Sequence, residues 1–317
     1  MQFALPPPLR SQDKVAVIAP SGAVYDWEKV QAGLSVWRNQ GYNLWIPENL
    51  SPNWGYLAGD DRHRCQQLIT AWNDPDVKAI VCARGGYGAM RLLEQLDWGQ
   101  IADQPKWLIG FSDITALLWA IAARNKVITL HAPVLTTLGD EPAWSVEHLF
   151  QMLQYPDYSW KLEGKGWGGG RVTGRLWVGN LCVASAMIGT NLMPDLTDSI
   201  LAIEDIYETP YRLDRMLTQW RLSGLLASVK GIALGRFSHA DTDLPTLTLE
   251  QMFSDRLSDL GIPIVSDLPF GHDGVNLALP VGQIVTLDGD HGWLYSSSST
   301  SEELGFASTK DDTGALG

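Results

Sequence analysis

The sequence predicts an α/β protein: a doubly wound parallel sheet, Rossmann- or flavodoxin-like, in the N-terminal half, followed by a smaller, β-rich α+β unit. Three observations lead there. Short apolar runs alternate with amphipathic stretches up to about residue 135, most runs close on turn-forming residues, and a glycine tract then breaks the pattern. Residues 14–19 form an almost uninterrupted apolar run closed by Pro20-Ser21-Gly22, as a strand buried on both faces requires. Residues 26–40 carry Trp27, Val30, Leu34 and Trp37 at three- and four-residue steps and stop at Gly41, which predicts a helix. Strands over 42–46, 77–83, 107–110 and 127–130 and helices over 60–72, 89–96 and 114–123 continue the alternation.

Between 161 and 174 the chain supplies Gly164, Gly166, Gly168, Gly169, Gly170 and Gly174, the composition of a flexible connector. The expected organisation is therefore an α/β unit over 1–160, a linker over 161–174, a second unit over 175–295 and a weakly ordered, serine-rich tail over 296–317. Within the second unit, strands are expected over 200–203, 231–234 and 283–287, and helices over 211–223 and 247–260.

A length of 317 residues suits roughly two domains of about 150 residues. With 45% hydrophobic and 19% charged residues the chain can bury a sizeable core, which excludes a mainly disordered protein. Acidic residues outnumber basic ones 36 to 23, a net charge of −13, so nucleic acid and anionic membranes are poor partners. No apolar run approaches the roughly 20 residues that cross a bilayer, and the first ten residues lack the pattern of a signal peptide. Cys65, Cys82 and Cys182 are widely spaced and form no CxxC, as expected of reduced thiols in the cytoplasm. No HxH or HExxH motif points to a metal, and no cofactor is expected. Fourteen tryptophans suggest core and cleft wall.

The most informative segment is Trp107-Leu-Ile-Gly-Phe-Ser-Asp-Ile-Thr115. A strand ending at Gly110 and a helix starting near Ile114 put Ser112 on a sharp turn at the carboxyl edge of the sheet. Such a turn presents a hydroxyl beside the free N–H groups of a helix start. Its match to G-x-S-x-G is partial, because Ile114 replaces the second glycine, and Ser112 or Asp113 as an ordinary N-cap is the plain alternative. Arg84-Gly-Gly-Tyr-Gly88 falls on the same edge, where open α/β sheets bind ligands. It reads either as a tight turn or as a backbone donor to an anion through Gly86. A serine needs a base: His272, in a loop of turn-forming residues, and His131, after another strand, are equal candidates by composition. Glu204 and Asp205 end an apolar strand, where Glu204 can orient an imidazole or simply pair with Arg212 or Arg215.

In order along the chain, Ala19-Pro-Ser-Gly22, Arg84-Gly-Gly-Tyr-Gly88, Gly110-Phe-Ser-Asp113, Gly179-Asn-Leu181, Ile203-Glu-Asp205 with Tyr211-Arg-Leu-Asp-Arg215, and Gly271-His272 resemble the LD-carboxypeptidases. That serine peptidase family includes muramoyltetrapeptide carboxypeptidase and the microcin C7 self-immunity protein. The resemblance implies Ser112 as nucleophile, His272 as general base and Glu204 as the acid orienting it. It also implies an oxyanion hole from the N–H groups of Gly86 and Asp113, and leaves His131 a structural or cleft-lining role. Ala132 and Val178 stand where the family often has glycine, which bears on loop shape and substrate. The implied reaction is hydrolysis of the amide between the L-configured diamino acid of a cell-wall tetrapeptide and its terminal D-alanine, in murein recycling. Arg84, Tyr87, Arg212 and Arg215 are candidates to hold the substrate, a small peptide or muropeptide; whether the enzyme is a homodimer stays open. One alternative is the microcin-type hydrolysis of peptidyl or aminoacyl nucleotides, with Trp54 or Trp177 as a platform for the base. Another is a non-catalytic α/β ligand-binding protein.

Overall fold

The computed structural model describes residues 3–101, 104–240 and 245–296. Five parallel strands, β1 (Lys14–Ile18), β2 (Asn43–Trp45), β3 (Val77–Cys82), β4 (Trp107–Gly110) and β5 (Thr129–His131), lie in the order 5-4-3-1-2. Helices α1 (Trp27–Asn39), α2 (Asp61–Asn73), α3 (Ala89–Leu92), α4 (Trp98–Ile101) and α5 (Thr115–Asn125) connect them. This is the doubly wound sheet that the apolar runs predict. Val15 to Ile18 have no exposed surface, and α1 buries Val30, Leu34 and Trp37 as its periodicity requires. Asp26 and Asp60 cap α1 and α2 by accepting the N–H of Lys29 (3.0 Å) and His63 (2.7 Å). The helix expected over 89–96 lasts a single turn, and the Leu93 N–H bonds back to Met90 across a tightened end.

After α6 (Leu135–Leu138) and α7 (Ala143–Gln154) come, among the described residues, nine strands: β6 (Lys161–Glu163), β7 (Lys165–Trp167), β8 (Arg171–Asn180), β9 (Ser199–Ile206), β10 (Gly231–Ser238), β11 (Ile264–Ser266), β12 (Leu279–Val281), β13 (Ile284–Asp288) and β14 (Trp293–Ser296). Eight of them form a second sheet in the order 6-14-13-8-9-10-11-7. Helices α8 (Leu181–Ala186), α9 (Pro210–Leu222), α10 (Leu225–Ser228) and α11 (Leu249–Leu257) complete this half. Strand β12 instead joins the first sheet, antiparallel to β5, so the second half of the chain contributes to both sheets.

The glycine tract is not a loose connector. Its residues build β6, β7 and the start of β8, paired with β14, β11 and β13. Glycine is needed there for closeness: a Cβ on Gly164 would lie 2.2 Å from the Ser266 carbonyl oxygen, and one on Gly166 1.9 Å from that of Gly289. The tail expected over 296–317 lies outside the described residues, apart from Ser296, which ends β14 with no exposed surface.

The halves are locked together beside the carboxyl edge of the first sheet. A Cβ on Gly179 would lie 2.3 Å from a Thr115 methyl carbon, the Asn180 N–H donates to Thr115 Oγ1 (3.0 Å), and the Trp119 indole donates to the Val178 carbonyl (2.9 Å). Among the described residues no helix is long and apolar enough to cross a membrane.

Candidate active site

At the end of β4, Phe111 is extended and Ser112 turns sharply with φ of 63°, in the left-handed region that a residue with a Cβ seldom adopts. Holding it there costs on the order of 1–2 kcal/mol, supplied by the surrounding packing. A short 3₁₀ turn over Ser112–Ile114 then runs into α5. Neither Ser112 nor Asp113 caps this helix through its side chain. The Asp113 carboxylate instead accepts from the Ser21 hydroxyl (2.5 Å) and from the N–H of Ala89 at the start of α3 (2.7 Å). It thereby ties the ends of β1, β3 and β4 into one platform. Burial pushes its carboxyl above the ordinary range, against those two hydrogen bonds and the nearby Arg64 charge.

The turn of Arg84 to Gly88 packs directly on Ser112. A Cβ on Gly85 would sit 2.9 Å from Ser112 Cβ and 3.0 Å from its Oγ, so this contact exists only because residue 85 is glycine. Gly86 follows at φ 113°, and its N–H has no backbone acceptor among the described residues. Beneath the turn lies Arg64, fully buried, donating to the carbonyls of Pro20 (2.6 Å) and Gly88 (2.8 Å) and paired with Asp61. On the sequence this arginine reads as one more polar residue of an amphipathic helix, and nothing local signals its burial.

From the other half, Glu204 near the end of β9 is fully buried and its Oε2 lies 2.6 Å from His272 Nδ1. Gly271, at φ 122°, allows this approach: a Cβ there would lie 3.1 Å from Glu204 Cβ. With Nδ1 donating to the carboxylate, Nε2 is left as the basic nitrogen. The His272 ring lies 4.8 Å from that of Phe111, the residue before Ser112. Burial disfavours its charged form, but the hydrogen bond and charge of Glu204, aided by Asp205, outweigh it and raise His272 above its ordinary 6.5.

His131, the competing base, has no exposed surface and sits between the rings of Phe111 and Phe270; burial lowers it to about 4, so it stays neutral. Asp205 is a staple, accepting from the Asn180 amide (2.9 Å) and the N–H of Cys182 (2.8 Å) and Ile206 (2.8 Å). Arg84 donates to the Ala23 carbonyl and covers the Tyr25 ring, while Tyr87 beside it is half exposed. Arg212 pairs with Glu208 and, with Arg215, lines a separate pocket of about 380 Å³. Trp54 is exposed, but Trp177 is core, edge-on to Trp119, and offers no platform. Among the described residues no group of three or more His, Cys, Asp or Glu side chains is placed to hold a metal ion.

Two family models, the LD-carboxypeptidase N-terminal and C-terminal domains, match residues 15–132 and 173–287. A putative carboxypeptidase of Synechocystis, slr1534, is 50% identical over 92% of this chain and 97% of its own length. The chain belongs to the LD-carboxypeptidase family. The murein tetrapeptide carboxypeptidase of Pseudomonas aeruginosa is 33% identical over 87% of this chain and 94% of its own. The crystal structure of muramoyltetrapeptide carboxypeptidase from Oxalobacter formigenes superimposes with a TM-score of 0.80 at 34% identity, covering 89% and 97% of the two chains. The Oxalobacter structure shares the fold and both relatives share most of the length, so this LD-carboxypeptidase family member is a peptidase with the family's two-part architecture.

Proposed function

We propose that this chain is a serine LD-carboxypeptidase of murein recycling, releasing the terminal D-alanine of a murein tetrapeptide by cutting its bond to the L-centre of the diamino acid. The observation that carries the reading is the 2.6 Å Glu204–His272 pair seated against Phe111, next to a serine held at positive φ. In the reaction His272 Nε2 takes the Ser112 proton, and Oγ attacks the scissile carbonyl. The Gly86 and Asp113 N–H groups hold the oxyanion, each contributing about 10²–10³-fold. The imidazolium, stabilised by Glu204, protonates the leaving D-alanine, and water then resolves the acyl-enzyme. Ser112 follows β4 of the first sheet, whereas Glu204 lies on β9 of the second. The free α-carboxylate of the leaving residue needs a cation; Arg84, on the turn that packs against Ser112, fits this better than Arg212 and Arg215, which line the separate pocket. Murein recycling puts this work in the cytoplasm, in keeping with the three free thiols.

The deciding experiment compares wild type with Ser112→Ala on a disaccharide-tetrapeptide, scored by alanine release. Wild type is expected to release alanine and the variant to lose at least about 10⁴-fold in kcat. Equal rates in the two would end the serine mechanism, and labelling of wild type, but not of the variant, by a serine-directed phosphonate reports the same hydroxyl independently.

A further inference from the structure

Beside the Gly85–Gly86 turn begins a groove of about 730 Å³ that the reaction above does not use. Tyr87 marks its near end, while Trp98, Arg124 and Asn191 line it further on, over an apolar floor that includes Met90 and Leu192. Its volume falls in the range of small-molecule sites, roughly 300–1,000 Å³. Aromatic and cationic groups are already organised in it. The Arg124 guanidinium lies 5.6 Å over the Trp98 ring, and Arg91 is fixed by Asp61 at 2.7 Å. Among the described residues Arg124 is paired with no carboxylate, an exposed cation on a chain of net charge −13.

We propose that this groove seats the sugar-bearing end of a glycopeptide substrate, with Trp98 and Arg124 as its far wall. The inference rests on the murein-peptidase reading. A tetrapeptide cut at its last bond keeps three residues on the acyl side, which extend about 10 Å from the nucleophile. From Thr115, three residues beyond Ser112, α5 rises about 14 Å to Arg124. A peptide that leaves Ser112 along this groove would bring the sugar on its first residue toward Trp98. An indole offers a flat apolar face to the C–H side of a pyranose, and Arg124 and Asn191 offer donors to its hydroxyl and N-acetyl oxygens.

The test measures alanine release from a free tetrapeptide and from the same peptide carrying its amino-sugar disaccharide, for wild type, Trp98→Ala and Arg124→Ala. Wild type is expected to favour the glycosylated substrate in kcat/KM by about tenfold, and each substitution to cut that preference about three- to tenfold, chiefly through KM. Arg124 is exposed, so its variant carries the test if Trp98→Ala does not fold. No preference in wild type, or a preference that survives both substitutions, overturns the groove assignment and leaves the peptidase reading standing. Release from neither substrate overturns the peptidase reading, and binding then judges the groove. Saturable quenching of tryptophan fluorescence by the disaccharide, lost in Arg124→Ala, supports it; no saturable quenching, or tighter binding of adenosine monophosphate than of the disaccharide, overturns it.

Discussion

The two sides of the candidate site are built on different principles. The Ser112 side is held by backbone shape: a positive φ, glycine at 85 pressed on the serine, and one buried carboxylate joining three loops. The Glu204–His272 side is held by one charge-assisted hydrogen bond, with glycine at 271 giving it room. A site fixed by shape is disturbed when an atom is added, whereas one fixed by charge is disturbed when that charge is removed or titrated. The largest expected effect tests the charged side. Glu204→Gln keeps the volume but removes the charge that stabilises the imidazolium, and kcat is expected to fall about 10⁴-fold with little change in KM. A loss below tenfold would mean that Glu204 only packs against His272.

Next comes the shape side. Gly85→Ala adds a methyl group 2.9–3.0 Å from the Ser112 side chain, and Ser112 must move. Displacement of about 1 Å costs on the order of 10²-fold in kcat, with unfolding by urea nearly unchanged if the turn yields. Wild-type kinetics in this variant would show that Ser112 has no fixed position to lose.

The sequence made the scaffold more legible than the site. Strands β1, β3 and β4 could be read because each is an apolar run that meets a turn signal, and burial on both faces demands such runs. Strands β6 and β7 could not, since glycines that read as freedom serve here to let backbones touch. Ser112, Glu204 and His272 stand at strand ends or in loops where chemistry is expected, yet nothing local ranked His272 above His131; family resemblance did, and the 2.6 Å contact with Glu204 is a tertiary one that no local pattern announces. The platform under the serine was the least legible part. Asp113 reads as an N-cap for its own helix and Arg64 as a surface residue, because both act through tertiary contacts far apart along the chain.

That platform predicts a stability effect with no matching electrostatic signature. Asp113→Ala strands the Ser21 hydroxyl and the Ala89 N–H in a buried place. The cost is about 2–4 kcal/mol, read as a lower urea midpoint at unchanged slope. An unchanged midpoint would mean that the three loop ends hold without it.

The smallest effect is a displacement of the pH profile, and it separates the two sides most cleanly. In the proposed reaction a protonated imidazole cannot accept the Ser112 proton, so kcat/KM is expected to fall as pH drops through the His272 pKa. Because Glu204 and Asp205 raise that pKa, the acid limb in wild type is expected to have its midpoint above 6.5. Asp205, pushed up to about 6 by burial, takes up its own proton in the same interval. Each protonation then disfavours the other, since an ionised Asp205 supports the imidazolium and a neutral one does not. The limb should therefore be shallower than a one-proton curve. In Glu204→Gln the strongest raising influence is gone while burial of the ring still works against the charge, so the residual activity should persist to lower pH than in wild type. In Gly85→Ala, where shape alone changes, the midpoint should stay where it was although the rate is far lower. A wild-type midpoint below 6.5, or a limb that moves as much in Gly85→Ala as in Glu204→Gln, would show that charge and shape are not divided between the two walls.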